Sequence, residues 1–315
     1  MKILITGSLG FIATNLILSL SKNKEYKIVG IDSGISGSTN KVFTNHICKH
    51  NIFNISDKEK LCKLLHNIDL VVHLAANGNV IDSIKRPILN FQNNVFSTLN
   101  LLECMREMNV KNLVFSSTGG ALMGNSASPV NENSNPKPIS PYGASKMSCE
   151  GYISSYAETF NINSIILRFG NVYGPFSLHK SGVLNKWIFS ALNNEPISIF
   201  GDGSSTRDYI HVQDLCNGIN LAIKHLKLEN SEKLNIFHLA NSYEISLNYL
   251  AEELSKIHGG NLKIDYLPSR KGEVHRNFAD ITKAKESLRF KPEINLNQGL
   301  SELYKWLKEY GLKKI

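Results

Sequence analysis

The first thirteen residues hold the feature that most constrains the fold, a short apolar strand that runs directly into a glycine turn. Ile3 to Ile5 form the apolar run, Gly7 and Gly10 follow it, and the small residue Ala13 comes three positions later. Glycine permits a tight turn and a close approach of the backbone to a ligand. A helix that begins after Gly10 directs its amino terminus at that ligand, and helix amino termini attract anions. The sequence therefore predicts a strand, turn and helix that hold a pyrophosphate group.

A second apolar strand ends at an acidic residue. Lys27 to Ile31 form this strand, and Asp32 follows it directly. A carboxylate at this place can bind the hydroxyls of an adenosine ribose, and it repels a 2′-phosphate. The order of strand, glycines, helix, strand and acid is much more specific than any one of its parts. It predicts a dinucleotide site that prefers NAD to NADP.

Strand and helix patterns alternate up to about residue 170. Further buried strands are predicted at 69–74, 112–116 and 164–168, with amphipathic helical segments at 87–108 and from 141 to about 160. Repeated βα units imply a parallel, doubly wound sheet. After Asn171 the pattern loosens into loops rich in Gly, Ser and Asn, and 296–310 is typical of a closing amphipathic helix. At 315 residues the chain is long enough for two lobes.

A tyrosine and a lysine one helical turn apart form a candidate catalytic pair. Ser140 can cap a helix and Pro141 suits its first position, so Tyr142 and Lys146 lie on one face of that helix. The pKa of a free tyrosine is about 10, which is too high for a base near neutral pH. A nearby ammonium favours the phenolate, so we expect Lys146 to lower the pKa of Tyr142. The pair is then a general acid and base.

These features resemble the extended short-chain dehydrogenase/reductase family, specifically its nucleotide-sugar epimerases and dehydratases. The likeness runs nearly end to end, and the ordered set of motifs carries its specificity. The motifs are the glycine-rich start, His73-Leu74-Ala75-Ala76, Asn93-Asn94-Val95, Ser116-Ser117-Thr118, Tyr142 with Lys146, Arg168-Phe169-Gly170-Asn171-Val172-Tyr173-Gly174-Pro175, Gly201-Asp202-Gly203, Thr206-Arg207-Asp208-Tyr209 and Arg270-Lys271-Gly272-Glu273.

The resemblance implies an α/β fold, with a Rossmann-like doubly wound parallel sheet and a smaller C-terminal substrate-binding lobe. The NAD-binding domain is expected at 1–170, with returning segments near 208–242. The nucleotide-sugar-binding lobe is expected at 171–207 and 243–315. The resemblance also implies a homodimer and a role in nucleotide-sugar metabolism and polysaccharide biosynthesis.

The same resemblance assigns site residues. Thr118, Tyr142 and Lys146 are expected to be catalytic, with Ser117 as the alternative to Thr118 if the register shifts by one. A threonine hydroxyl can relay a proton between a sugar hydroxyl and the tyrosine. The residues expected to contact the cofactor are Gly7, Gly10, Phe11, Ile12, Asp32, Asn54, Ile55, Leu74, Ala75, Ala76, Asn94, Ser116, Tyr142 and Lys146.

The expected substrate is a nucleotide sugar, and its contacts come mainly from the second lobe. Guanidinium groups offer forked charged donors that suit a diphosphate. The residues expected to bind substrate are Thr118, Asn171, Arg207, Arg270, Glu273 and Asn277. Asn277 corresponds to a family position beside the sugar 2-substituent, where a small residue is associated with N-acetylated sugars. If the alignment shifts by one, Arg276 faces the sugar instead.

Gly119 and Gly120 narrow the expected reaction. Dehydratases and decarboxylases of this family usually carry acidic side chains directly after the catalytic threonine, and this chain has two glycines there. Of the reactions known for the family, reversible oxidation at C4 of the sugar remains. This reaction predicts an NAD-dependent UDP-sugar 4-epimerase. Its substrates would be UDP-glucose and UDP-galactose, or their N-acetylated counterparts. The alternatives are a 4-ketosugar reductase, which Asp32 disfavours, a dehydratase or decarboxylase, and a non-catalytic dinucleotide sensor.

Composition limits the other function classes. The formal charge is +8, but the lysines are scattered and do not alternate with aromatics, so no nucleic-acid partner is expected. No apolar stretch is long enough to span a bilayer and the start lacks a signal-peptide pattern, so no membrane insertion is expected. The cysteines, Cys48, Cys62, Cys104, Cys149 and Cys216, are odd in number and scattered. We therefore expect reduced thiols in a cytoplasmic protein, without a disulfide framework or a metal site.

Overall fold

The computed structural model describes residues 1–35, 37, 40–227, 232–269 and 274–311. The strands are β1 Lys2–Thr6, β2 Lys27–Asp32, β3 Lys49–Ile52, β4 Leu70–His73, β5 Asn112–Thr118, β6 Asn163–Phe169, β7 Asn171–Tyr173, β8 Ile197–Phe200, β9 Thr206–Arg207, β10 Tyr209–His211, β11 Leu234–Leu239, β12 Ile245–Ser246 and β13 Ile264–Leu267.

The helices alternate with these strands through the first half of the chain. They are α1 Phe11–Leu20, α2 Lys41–Thr44, α3 Lys58–Leu65, α4 Val80–Lys85, α5 Pro87–Phe91, α6 Ser97–Glu107, α7 Gly120–Met123, α8 Pro141–Phe160, α9 Val183–Leu192, α10 Val212–His225, α11 Leu247–His258, α12 Thr282–Leu288 and α13 Leu296–Gly311. A π-helical segment, Gln92–Phe96, joins α5 to α6.

A seven-stranded sheet forms the centre of the fold, in the order β11-β6-β5-β4-β1-β2-β3. All of its neighbouring strands are parallel. The strand order reverses between β1 and β4, and ligands of doubly wound sheets bind at the carboxyl ends of the strands beside such a switch point. The predicted Rossmann-like α/β fold is confirmed.

Apolar side chains cover both faces of the sheet, as a parallel sheet requires. One core packs beneath α1 and α10, with Leu16 and Ile219 fully buried. The other packs beneath α3, α6 and α8, with Leu101 and Ile153 fully buried. The two layers hold the carboxyl ends of β1, β2, β4 and β5 together at one edge, where most of the predicted cofactor residues lie.

Short strand pairs and three helices surround a third apolar core. β7 pairs with β10, β8 with β13, and β9 with β12. Trp187 on α9, Leu250 on α11 and Leu303 on α13 pack in this core. β11 instead returns to the central sheet beside β6. The predicted boundary between the two lobes stays a prediction.

Helix α8 begins and ends where the sequence predicted. The Ser140 hydroxyl accepts a hydrogen bond from the Gly143 amide at 3.2 Å, and Pro141 occupies the first helical position. Asn161 ends the helix in the left-handed conformation, with φ of 53°. A capped start fixes the axial position of Tyr142 and Lys146 relative to the end of β5.

The cysteines differ from the expectation of reduced thiols. The structure joins Cys62 on α3 to Cys104 on α6 in a disulfide with a Cα–Cα distance of 5.1 Å. The other three, Cys48, Cys149 and Cys216, are buried and free. The sequence spacing could not reveal this pair, because the two helices become neighbours only when they pack on the same face of the sheet. Among the described residues, no cluster of three or more potential ligands could hold a metal ion, and no helix is long and apolar enough to cross a membrane.

Candidate active site

The glycine turn after β1 is shaped by a neighbouring strand as well as by its own conformation. Gly7 has φ of +66°, and a Cβ there would lie 2.9 Å from the backbone nitrogen and Cα of Ala75. The Gly10 amide donates to the Gly7 carbonyl at 2.9 Å, and α1 starts at Phe11 with no side-chain cap. Uncapped amides at the start of a helix leave donors for an anion. The turn therefore fits a pyrophosphate held by backbone groups.

Asp32 stands beside this turn at the end of β2. Its two carboxylate oxygens accept hydrogen bonds from the Leu9 amide at 3.0 Å and the Gly34 amide at 2.8 Å. These bonds fix the carboxylate against the glycine turn, and each oxygen still has a lone pair for a ribose hydroxyl. The geometry fits the adenosine ribose of NAD.

Asn54 and Ile55, the predicted adenine contacts, follow β3. Asn54 is exposed, and its side-chain oxygen accepts from the Ser56 amide at 2.9 Å. Ile55 is buried, and its carbonyl accepts from the Asn100 side chain at 2.6 Å. The exposed amide group of Asn54 remains able to donate to a base, so the adenine assignment stays a prediction.

The backbone of Leu74 and Ala75 forms a wall beside the glycine turn, and a chain of hydrogen bonds holds this wall in place. The Thr6 hydroxyl accepts from both of their amides at 3.1 and 3.0 Å, so its proton goes to His73 Nδ1 at 2.6 Å. His73 Nε2 lies 3.0 Å from the Thr98 hydroxyl, which itself donates to the Asn94 carbonyl at 2.6 Å. These partners assign the proton of His73 to Nε2.

His73 is therefore a neutral structural group. Burial, and secondly the charge of Lys146, lowers the pKa of His73 to about 3. Its bonds to Thr6 and Thr98 place it behind the wall, where it acts on the site through these partners. Thr6 and Thr98 complete the chain, but neither carries a motif that sequence reasoning could have used. Ala76 lies beyond the wall and is exposed.

Asn94 links two segments of the site by hydrogen bonds. Its side-chain oxygen accepts from the Asn77 amide at 2.8 Å, and its side-chain nitrogen donates to the Ser145 hydroxyl at 2.9 Å and to the Asn77 carbonyl at 3.2 Å. Asn94 is buried in the π-helical segment that interrupts the predicted helix at 87–108. Such segments frequently occur at functional sites. With both ends of its amide engaged, Asn94 holds the 77–79 loop and the first turn of α8. Its predicted contact with the cofactor stays a prediction.

Thr118 and Tyr142 are brought together at the end of β5. The Thr118 hydroxyl hydrogen-bonds the Tyr142 phenol oxygen, an interaction that favours the phenolate. The alternative, Ser117, points to the other side of the strand, where its hydroxyl donates to Glu150 at 2.5 Å. Because neighbouring strand residues face opposite ways, only one of the two hydroxyls can reach the tyrosine. The geometry favours Thr118, whose catalytic role stays a prediction.

Lys146 is buried behind the tyrosine. Its ammonium donates to the Ser116 carbonyl at 2.8 Å and lies 4.6 Å from the centroid of the Phe115 ring. Burial lowers the pKa of Lys146 to about 8, against the opposing charges of Cys149 and Glu150. Ser116 also donates from its hydroxyl to the His73 carbonyl at 3.0 Å, which places both of its polar groups inside the protein.

The expected effect of Lys146 on the tyrosine is wrong. Burial raises the pKa of Tyr142 to about 12, with the charge of Cys149 adding to the rise and the bond from Thr118 opposing it. The helical spacing places both side chains on one face, but it does not decide where the ammonium points. In the structure that group is directed at the Ser116 carbonyl.

A buried ion pair lies beneath the Thr118 turn. The Arg168 guanidinium binds both oxygens of Glu150, at 3.1 and 2.8 Å, and Ser117 donates to the same carboxylate. The side chains of both charged residues are nearly enclosed. Removing one partner of such a pair leaves a buried charge without compensation. The pair ties α8 to β5 and β6 next to the catalytic candidates.

The predicted substrate residues are only partly described. Asn171 is exposed at the start of β7, and its amide donates to the Asp208 carbonyl at 2.7 Å. Arg207 is half-buried and donates to the Thr206 carbonyl at 2.7 Å. Arg270 and Glu273 lie outside the described residues. Their predicted roles and those of Asn171 and Arg207 stay predictions.

Asn277 and Arg276 point in opposite directions. Arg276 is exposed and pairs with Glu244 at 2.6 Å. Asn277 is 7% exposed, and its side-chain oxygen would lie 3.2 Å from a Cβ at Gly120. Its side-chain nitrogen is buried without a hydrogen-bond partner among the described residues. The structure therefore turns Asn277, and not Arg276, towards the glycines after Thr118.

The carboxylate of Asp208 binds three backbone amides, one of them close to Asn277 in the chain. Its carboxylate accepts from the amides of Asn241, Ser242 and Ala279, at 2.8, 3.0 and 3.2 Å. Burial nevertheless raises the pKa of Asp208 to about 6. Asp208 therefore anchors the backbone two residues beyond Asn277.

Sequence reasoning missed two residues of the 77–79 loop, of which Gly78 borders the tyrosine. A Cβ at Gly78 would lie 3.8 Å from the Tyr142 hydroxyl oxygen, which is ordinary contact distance. The Asn79 side chain donates to the Ser181 hydroxyl at 3.3 Å, which joins the 77–79 loop to the loop before α9. Only their position after the His73 motif could have drawn attention to them.

Comparison with known proteins agrees with this site. Residues 3–236 match the model of the NAD dependent epimerase/dehydratase family. The structure resembles UDP-glucose 4-epimerase of Thermotoga maritima with UDP-glucose, at 33% identity, TM-score 0.91, and coverage of 98% of this chain and 99% of that one.

Two further solved structures are similar over the same extent. UDP-glucuronic acid 4-epimerase of Bacillus cereus, in complex with UDP-glucuronic acid and NAD, is 31% identical, with TM-score 0.91 and coverage of 98% and 99%. UDP-N-acetylglucosamine 4-epimerase of Methanobrevibacter ruminantium, in complex with UDP-N-acetylmuramic acid, is 30% identical, with TM-score 0.89 and coverage of 98% of each chain. The predictions of an enzyme and of NAD as its cofactor are confirmed. The chain belongs to the NAD dependent epimerase/dehydratase family.

Proposed function

We propose that this protein interconverts UDP-sugars that differ in configuration at C4. The observation that carries the proposal is the hydrogen bond between Thr118 and Tyr142 at the end of β5, on the same sheet edge as the glycine turn. This arrangement brings a hydroxyl relay and an acid/base group to the place where a dinucleotide lies in a doubly wound sheet. The similar solved 4-epimerases support the same reaction.

The residues of the chain act on the 4-hydroxyl proton. Thr118 accepts this proton and passes its own to Tyr142, which returns a proton when the hydroxyl is restored. Lys146 holds positive charge below a pH of about 8, and its ammonium is bonded to the Ser116 carbonyl behind the tyrosine. NAD, when bound, supplies the hydride acceptor and a positively charged ring that favours the phenolate.

The residues after Thr118 disfavour the alternatives that need a second base. Gly119 has no side chain, and its amide is engaged by the Phe169 carbonyl at 2.9 Å. A dehydratase or decarboxylase then lacks a carboxylate from this turn.

A 4-ketosugar reductase would use external NADPH, and the anchored carboxylate of Asp32 disfavours the 2′-phosphate of that cofactor. A non-catalytic sensor has no need of Thr118, Tyr142 and Lys146 together.

One incubation tests these functions against each other. Purified protein is given UDP-glucose, UDP-N-acetylglucosamine or UDP-glucuronate separately, without added cofactor, and the products are resolved by chromatography. We expect the C4 epimer of at least one sugar and NAD in the supernatant after denaturation. Conversion that requires added NADPH would instead establish the reductase, and loss of water from the sugar would establish a dehydratase.

We infer that the surroundings of Asn277 suit N-acetylated substrates. Asn277 is smaller than tyrosine, and its amide can pair with an acetamido group. Gly120 gives that amide room, because a Cβ there would press against the Asn277 oxygen at 3.2 Å. Gly78 leaves further space near the Tyr142 hydroxyl. We infer that UDP-N-acetylglucosamine is accepted at least as well as UDP-glucose.

Asn277→Tyr tests this inference, with Arg276→Tyr as its control. The tyrosine at 277 fills the inward position, so kcat/KM should fall selectively for the N-acetylated sugar. The same side chain at 276 takes the exposed position of a residue paired with Glu244, so both substrates should keep their ratio. Equal losses on both sugars in Asn277→Tyr would show that this residue does not select the 2-substituent.

Exposed apolar side chains support the homodimer. Ile84 on α4, Ile88 and Phe91 on α5, and Met147 on α8 are between 46% and 73% exposed, and α4 and α5 pack against α8. Apolar surface on neighbouring helices suits an isologous contact with a second copy. Ile88→Glu should shift the protein to a monomer in light scattering, whereas Ile35→Glu, at an 85% exposed position elsewhere, should not. A wild-type monomer would refute the dimer.

A further inference from the structure

Cys62 and Cys104 stand outside the site described above and have no part in its chemistry. Their Cα atoms are 5.1 Å apart, within the range of disulfides, and their sequence separation is 42 residues. We propose that they form a redox-active pair, a modification site that opens and closes by exchange with small thiols and disulfides of the glutathione class.

The surroundings accommodate the pair in both redox states. The sulfur of Cys62 lies 3.7 Å from a Glu107 carboxylate oxygen, and the sulfur of Cys104 lies 3.5 Å from the Lys58 carbonyl oxygen. A thiol is a weak donor, and each of these oxygens offers it an acceptor after reduction. Neither state then requires the helices to move apart.

Access differs between the two sulfurs, which sets the order of the chemistry. Cys104 is fully buried, whereas Cys62 is half-buried and lies on a surface cavity of about 520 Å³. The cavity is lined by Lys58, Glu59, Cys62, Lys63, Glu107 and Met108. A reductant therefore attacks Cys62. The two lysines on the rim are paired with its two glutamates, Lys58 with Glu107 and Lys63 with Glu59 at 2.6 Å each, so the rim does not repel a charged thiol such as glutathione.

Reduction of the protein disulfide consumes two thiols of the reductant. The first thiolate attacks Cys62, the bond to Cys104 breaks, and the released Cys104 thiolate takes a proton from water. A second thiolate attacks the glutathione sulfur of the mixed disulfide, which forms oxidised glutathione and leaves Cys62 as a thiolate that is protonated in turn. The protein disulfide gains two electrons and the two reductant thiols lose them. Oxidised glutathione drives the reverse sequence.

The pair is connected to the predicted adenine segment by its own helix. Asn100 lies one turn before Cys104 on α6 and donates to the Ile55 carbonyl at 2.6 Å. On the α3 side, Asp57 caps the helix and donates from its amide to the Asn54 carbonyl at 2.9 Å. A bond between α3 and α6 restrains the turn of 54–57 from both ends. This coupling rests on the proposed placement of adenine beside Asn54 and Ile55.

The test uses the full-length protein equilibrated with reduced or oxidised glutathione. Peptide mass mapping should find Cys62 linked to Cys104 after oxidation. Tm should then rise by about 3–6 °C, because the bond closes a loop of some 40 residues in the unfolded chain. NAD release into a trap should slow at least twofold. Cys62→Ser should show none of these changes, while Cys216→Ser, at a free buried cysteine, should show all of them.

Each result decides a separate part of the proposal. Five free thiols after oxidation, or a link between other cysteines, would overturn the redox pair. A link with an unchanged rate of NAD release would overturn the coupling to the adenine segment. Because mass mapping and Tm involve no sugar, a protein that forms the link without converting any UDP-sugar would retain this proposal while the proposed reaction fails.

Discussion

Lys146 should destabilise the folded protein at neutral pH. Burial lowers the pKa of this group from 10.5 to about 8, so the folded state disfavours the ammonium that the unfolded state retains. A difference of roughly 2.5 units corresponds to about 3 kcal/mol at pH 7. The cost is complete below a pH of about 8 and disappears as the pH rises towards 10.5, because the unfolded chain then loses its proton as well.

Lys146→Met should reveal the cost of burying the ammonium, because the stability difference between variant and wild type should then depend on pH. The variant keeps the length and apolar contacts of the stem but loses the bond to the Ser116 carbonyl, which is worth about 1 kcal/mol at any pH. The difference in unfolding free energy, variant minus wild type, should therefore fall by about 2–3 kcal/mol between pH 7 and pH 10. NAD binding and turnover should both weaken in the variant.

Urea unfolding of nucleotide-stripped protein at several pH values measures this difference. Lys186→Met, which removes a lysine from an exposed position on α9, is the matched control for the change of residue type. A difference for Lys146→Met that is independent of pH, or that grows as pH rises, would refute the burial cost assigned to Lys146. In that event the buried ammonium is compensated by its surroundings, and no stability is lost for function at this residue.

Four further substitutions, two of them with a matched control, test the other parts of the site. Tyr142→Phe should lower turnover by roughly two orders of magnitude, with normal folding by circular dichroism. Thr118→Val should lower turnover roughly tenfold or more, and the control Ser117→Ala should lower it less in the same assay. Asp32→Ala should reduce the preference for NAD over NADP in a binding titration, and an unchanged preference would exclude Asp32 from the ribose site. Gly7→Ala should weaken NAD binding because its Cβ would lie 2.9 Å from the Ala75 backbone, whereas Gly182→Ala, with open space around it, should bind NAD normally.

Local sequence rules predicted the features that depend on near neighbours. The cap at Ser140, Pro141 and the four-residue spacing set the start of α8 and the shared face of Tyr142 and Lys146. The glycine turn before α1 and the acid at the end of β2 were likewise predicted from their order along the chain. Helical periodicity and turn chemistry act over a few residues, so these features can be read without knowing the rest of the fold.

Contacts between distant segments decided what the predictions left open or had wrong. Strand orientation and the ion pair of Glu150 with Arg168 turned Ser117 away from the tyrosine. Contacts with the 77–79 loop and with α8 determine the hydrogen-bond partners of the Asn94 side chain, whose predicted contact with the cofactor stays a prediction. Neither outcome has a signal in the local pattern, because each partner is more than ten residues away.

The sequence by itself determined the doubly wound architecture, the order of the cofactor motifs and the pairing of Tyr142 with Lys146 on one helix face. Only the tertiary structure decided that Tyr142 has a raised pKa, that Cys62 meets Cys104, and that Asn277 turns inward. The physical reason is that periodicity and turn preferences are local properties of the chain. Burial, electrostatic environment and side-chain pairing depend instead on which distant segments pack together.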